Sequence, residues 1–174
     1  MILKKYALSN NVDVDAVLLY VKPHNSFAGK QMNINKMPYI NVKHCIGLLP
    51  KVKDWNDIIK LFEICFDVPE KAFWKTDVSQ YYAAKKYMVS EFERIIMTEN
   101  KIFASQQTDE HLWMMAGADR LKRFSDTLPL VQLGKILGQY PFDLGKKPYS
   151  EIFTLLVMSK TQNEVEIEYQ KLNR

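Results

Sequence analysis

Along most of this chain apolar residues recur at steps of three and four, the period of a helix with one side turned to a core. Tyr39, Val42, Cys45, Ile46 and Leu49 keep that step until Pro50 stops it. WNDIIKLFEICF follows, with Asp54 as N-cap and Asp57 in the first turn. Its positions Ile58, Leu61, Phe62 and Cys65 make one face, which Ile59 and Phe66 widen, so the helix is expected to be covered on more than one side. VPEKAFW reads as a short helix with Pro69 in first position, and DVSQYYAAKKYMVSEFERIIMTENKIF as one long helix of about seven turns.

Thr108 or Asp109 can cap a further helix through HLWMMAGADRLKRF, which Gly117 divides. Pro129 opens the next helix and Gly138 closes it. QYPFDLGKK is a connector. Pro148 starts a final long helix whose first half is apolar on several faces and whose second half is polar. Residues 1–37 differ: Val14–Val21 reads as a strand or a short helix, followed by the polar loop KPHNSFAGKQMNINKMP. No internal repeat stands out. The expected fold is mainly α, a multi-helix domain of five to seven helices over 38–174 with a long C-terminal helix, joined to a small N-terminal strand or loop arm over 1–37 that can contain β structure.

Composition narrows the class. Hydrophobic residues at 47% and charged residues at 25% are values of a folding chain. The 24 basic and 20 acidic residues leave +4, with the two signs interspersed, so nucleic-acid contact is permitted and not demanded. AVLLYV and IFTLLVM are far shorter than the roughly 20 residues of a membrane span, and MILKKYAL carries too short an apolar stretch for export. Cys45 and Cys65, each in an apolar setting with no C-x-x-C spacing, read as buried thiols and point to a reducing, intracellular site of synthesis.

Catalytic and cofactor signatures are missing: no phosphate loop, dinucleotide fingerprint, nucleophile elbow or H-E-x-x-H occurs, so neither a catalytic residue, a cofactor nor a metal site is assigned. Asp109, Glu110 and His111, with Glu99 or Asp119, are the strongest metal candidate. Neighbours on a helix diverge by about 100°, however, and a polar helix start explains them. Glu91, Glu93 and Glu99 share their stripe with Arg94 and Lys101, as on a solvated face. His44 beside Cys45 is poorly placed for proton transfer along a helix. LGKILG has the interval of the first half of a helix-turn-helix, yet Pro141, Gly145 and Pro148 interrupt the place of a recognition helix. Gly134 and Gly138 are therefore expected at a close approach and a helix end. The central aromatics, helically spaced, read as core rather than as a base-stacking platform.

LVQLGKILGQYPFDLGKKPYSEIFTLLVMSKTQNEVEIEYQKL, with DWNDIIKLFEICFDVPEKAFW and SQYYAAKKYMVSEFERI, resembles the small helical structural and assembly proteins of tailed bacteriophages, both head-tail connector or ring proteins and tail assembly chaperones. The likeness is one of texture over 38–174 and transfers no functional residue. It implies a non-enzymatic virion protein, made in the host cytoplasm, that binds identical copies or other virion proteins and no membrane. Phe27 and Met32 in the loop and Tyr169 and Leu172 near the end are the expected contact residues, being apolar groups in polar segments. The alternative is a nucleic-acid-associated regulatory or packaging protein using Lys85, Lys86, Arg120, Lys122 and Arg123.

Overall fold

The computed structural model describes residues 1–9, 18–103, 115 and 117–173, and there the chain is mainly α-helical, with a long C-terminal helix. Among the described residues there are eight α-helices: α1 Leu3–Ala7, α2 Tyr39–Leu48, α3 Trp55–Phe66, α4 Glu70–Phe73, α5 Val78–Phe103, α6 Leu128–Leu137, α7 Pro141–Gly145 and α8 Tyr149–Leu172. Extended pairing among them is limited to isolated bridges. Tertiary contacts divide the chain into two units, Met1–Ile34 with His44–Met97 and Asn35–Lys43 with Thr98–Arg174. This division falls elsewhere than between residues 37 and 38, and α2 and α5 contribute residues to both units.

In the first unit, Asp54 caps α3 as expected, accepting from the Asn56 and Asp57 amides at 2.9 and 3.1 Å. Asp67 ends the helix in the left-handed region, its amide donating to the Glu63 carbonyl. Pro69 stands one place earlier than expected, as the N-cap of α4. Phe62, Phe66, Phe73, Tyr81 and Phe92 are buried, as the helical spacing of the aromatics implied.

The centre of this core is Phe27. Its ring lies 4.6 Å from that of Phe62, 5.5 Å from Phe73 and 5.9 Å from Phe66, and it is fully buried. A tight turn puts it there: Phe27 and Lys30 exchange both backbone hydrogen bonds at 2.9 Å, across Ala28 and Gly29 at φ +48° and +77°. Positive φ at both central positions is the geometry of a two-residue hairpin turn, and Gly29 adopts it without a Cβ penalty. The Asn25 amide then grips the backbone of Met32 from both sides, at 2.8 and 2.9 Å. Loop 22–34 is thus an inward-folded plug. Lys86 adds a brace from α5, donating to the carbonyls of Leu18, Leu19 and Val21. Residues 14–17 of the expected strand or helix lie outside the described residues, and Leu18 is buried.

The second unit is organised by a pairing that proline makes possible. Pro38 precedes α2 and Pro148 precedes α8, and their two segments bridge antiparallel. The Tyr39 amide donates to the Lys147 carbonyl at 2.9 Å, and the Tyr149 amide to the Met37 carbonyl at 2.8 Å. The two tyrosine rings stack at 6.0 Å and 8°. Proline holds the residue before each helix extended, so the first free amides of both helices find carbonyl partners instead of water.

The glycines of LGKILG serve a helix end here. Gly138 caps α6 at φ +63°, and a Cβ on Gly134 would stand 2.7 Å from the Gln139 carbonyl oxygen. After it the chain makes only the single turn α7, so no recognition helix follows.

Candidate functional site

Helix α8 is the element whose two sides face different environments. On one side, Leu156, Lys160 and Ile167 help line a cavity of about 770 Å³ in the second unit, together with Tyr39, Lys43 and Glu99. The charged groups of this cavity answer one another. Lys43 pairs with Glu99, both mostly buried, and Glu99 also accepts the Tyr149 hydroxyl at 2.9 Å. Lys160 donates to the Ile102 carbonyl at the end of α5 and lies 3.1 Å from Glu164. Burial first, then Glu99 and Asp126, push the Tyr39 phenol above its ordinary range. It stays protonated at neutral pH and is no base.

On the other side α8 presents Met158, Val165, Tyr169 and Leu172. They are 62, 60, 68 and 85% exposed. Relative to Met158 they stand seven, eleven and fourteen residues on, which at 3.6 residues per turn keeps them within an arc of about 60°. Four large apolar residues on one arc of a largely polar, exposed helix end suit a surface that seats against a partner, although Ile167 on the cavity side is 52% exposed as well.

A second apolar feature belongs to the first unit. A groove of about 670 Å³ runs between α3 and α5, beside the end of α2, with Ile58, Met88, Val89 and Ile96 among its walls. Ile58 explains the breadth of the α3 apolar face: Ile59, Leu61, Phe62, Cys65 and Phe66 are buried, whereas Ile58 turns to the open groove. Lys85 and Glu93 are the charged residues on the groove lining.

The sequence-derived candidates fare differently. Tyr169 and Leu172 are exposed as expected, whereas Phe27 and Met32 are 0 and 2% exposed, in the plug and not on a surface. Polar neighbours had concealed a turn that carries them inward. Of the basic set, Lys85 and Lys86 belong to the first unit and Arg120, Lys122 and Arg123 to the second. Lys86 is engaged by three carbonyls, Lys85 lies over the rings of Tyr81 and Tyr82, and Arg123 stacks on Phe124. The side chain of Lys122 lies outside the described residues, as do Asp109, Glu110 and His111. Among the described residues no three potential ligands gather for a metal, and no helix is long and apolar enough to cross a membrane.

Cys45 and Cys65 are buried with their sulfurs 3.9 Å apart, while His44 points to solvent. The hydrogen bond with Cys45, and then burial, push the Cys65 thiol up, far from thiolate formation. The native protein is expected to leave both thiols unlabelled by an aromatic disulfide reagent over minutes at pH 8. Both should titrate once it is unfolded, and prompt labelling before unfolding would contradict this placement.

Comparison of the chain with family models, with characterised proteins and with solved structures found no match.

Proposed function

We propose that this protein is a non-enzymatic structural or assembly component that works through protein-protein contacts, of the kind found in the virions of tailed bacteriophages as head-tail connector or tail assembly proteins. The observation that carries this reading is the solvent-facing stripe Met158, Val165, Tyr169 and Leu172, set on the helix side away from the α8 residues that line its own unit's cavity. The virion setting rests on the sequence texture described above. Identical copies or other virion proteins are the partners it implies.

The competing reading, a nucleic-acid-associated protein, has less to work with. Lys86 is held by backbone carbonyls, and Lys85 belongs to a different unit from Arg120 and Arg123. The two readings separate by salt. Association through an apolar stripe persists as salt is raised, whereas phosphate contacts weaken steeply. Light scattering at rising concentration, at low and high salt, should show a mass above that of the 20.4 kDa chain under both conditions. The double variant Val165→Asp with Tyr169→Asp should abolish it without altering helix content. A strictly monomeric protein that binds duplex DNA at physiological salt would overturn the proposal.

A further inference from the structure

The structure assigns Cys45 and Cys65 to a latent disulfide, a thiol pair seated so that a disulfide oxidant such as oxidised glutathione bridges α2 to α3 within the native fold. This inference stands apart from the contact function proposed above.

The chain has two cysteines, and the fold sets them against each other. They come from different helices, twenty residues apart in the chain, and both belong to the first unit. Their sulfurs lie 3.9 Å apart. A disulfide holds its sulfurs at about 2.0 Å, so the pair must close by about 1.9 Å, a step within reach of turning one sulfur between staggered positions.

Burial sets the rate and selects the product. Only a thiolate attacks a disulfide, and the contact with Cys45 together with burial holds the Cys65 thiol far from that form. Exchange therefore waits on transient opening of the contact between the two helices. In the opened state one cysteine thiolate attacks a sulfur of oxidised glutathione, whose S–S bond breaks, and a mixed disulfide forms as one glutathione thiolate leaves. The second cysteine thiolate attacks the protein sulfur of that mixed disulfide and expels the other glutathione. Glutathione takes both electrons, and the two protons of the protein thiols end on the two glutathione thiols. Reclosing the helices drives the second attack: Cys45 and Cys65 are 0 and 5% exposed, so the closed core has no room for a glutathione adduct, whereas it brings the two sulfurs into contact.

The bridge closes a ring over residues 45–65, which holds the Leu49–Lys51 turn, the Asp54 cap and almost all of α3. Within the first unit, Ile46 and Leu49 from the α2 side and Ile58, Leu61 and Phe62 from α3 line the apolar groove. Oxidation thus ties together two of the walls of that groove.

The test uses the full chain in a buffer of equal amounts of oxidised and reduced glutathione. One sample is unfolded in urea and refolded by dilution into this buffer, which removes the barrier of access, and a second is held there folded for days. Both are then alkylated under denaturing conditions and weighed intact. The expected product is lighter than the reduced chain by two hydrogens, carries neither alkyl group nor glutathione, runs as a single chain on a non-reducing gel and keeps its helix content by circular dichroism. Its melting midpoint should lie about 5–10 °C above that of the reduced chain, the size expected for closing a ring of about twenty residues. Cys65→Ala in the same buffer should show no such rise. The bridge with native helix content by either route supports the assignment. Free thiols or glutathione adducts by both routes overturn it, as does a bridge formed only between copies, or a bridged chain that melts below the reduced one.

Discussion

Replacing Phe27 by Ala is expected to lower the stability of the protein by about 3–5 kcal/mol, the range for truncating a fully buried aromatic side chain. The ring sits among three other phenylalanines at 4.6 to 5.9 Å, so its loss removes their edge contacts as well as its own buried area. Collapse of the site is opposed by the backbone. The Phe27–Lys30 turn and the Asn25 grip on Met32 fix the plug where it is, which keeps the cavity open and the cost near the upper end. Urea unfolding followed by circular dichroism checks this. Tyr169→Ala, at a 68% exposed position, should change stability by no more than about 0.5 kcal/mol. If Phe27→Ala proved as mild as Tyr169→Ala, the plug would not be part of the core.

The second large effect is expected at Glu99. Its carboxylate answers Lys43 and takes the Tyr149 hydroxyl, with the ion pair 17% and 15% exposed. Removing one partner of a well-buried pair leaves the other charge without compensation, at about 3–5 kcal/mol; the residual exposure here brings Glu99→Ala to about 2–3 kcal/mol. Glu99→Gln, which keeps an acceptor for Tyr149, should cost roughly half as much. The double replacement Lys43→Met with Glu99→Leu should lie close to the parent, because a buried ion pair and an apolar pair of similar size are often nearly equivalent. A double variant no better than Glu99→Ala would mean that the two residues act independently. By contrast, the exposed pair Lys146–Asp143 should be removable at little cost.

What could be read from the residues was mostly punctuation and period. Asp54, Pro129 and Gly138 marked helix ends, and the spacing of Phe62, Phe66, Tyr81 and Phe92 marked the core, because capping and amphipathicity are local and leave local traces. Helices α1 and α7, at five residues each, are too short to show a period. The plug was misread for a related reason: NSFAGK holds one large apolar residue in a mostly polar run, and only the turn at Ala28 and Gly29 decides where it goes. A two-residue turn ending in glycine was the available signal. The Pro-Tyr pairing had one too, since PY spans the start of both α2 and α8, but partners 110 residues apart in the chain leave no local trace. At the candidate site, the apolar members of the polar second half of α8 were visible, whereas the groove needs three separated segments and was not.

The bridge between Pro38 and Pro148 bears on how the molecule is made. During synthesis the N-terminal partner leaves the ribosome first and must wait while about a hundred further residues are added, about five to twenty seconds at roughly 5–20 residues per second. Through that interval the amide of Tyr39 and the carbonyl of Met37 are open to water, and the Tyr39 ring has no stacking partner. The chain's earlier unit draws on residues 1–34 and 44–97 and can mature during the wait. The later one cannot close before Tyr149 emerges, so translational pausing ahead of that codon would prolong an immature nascent chain.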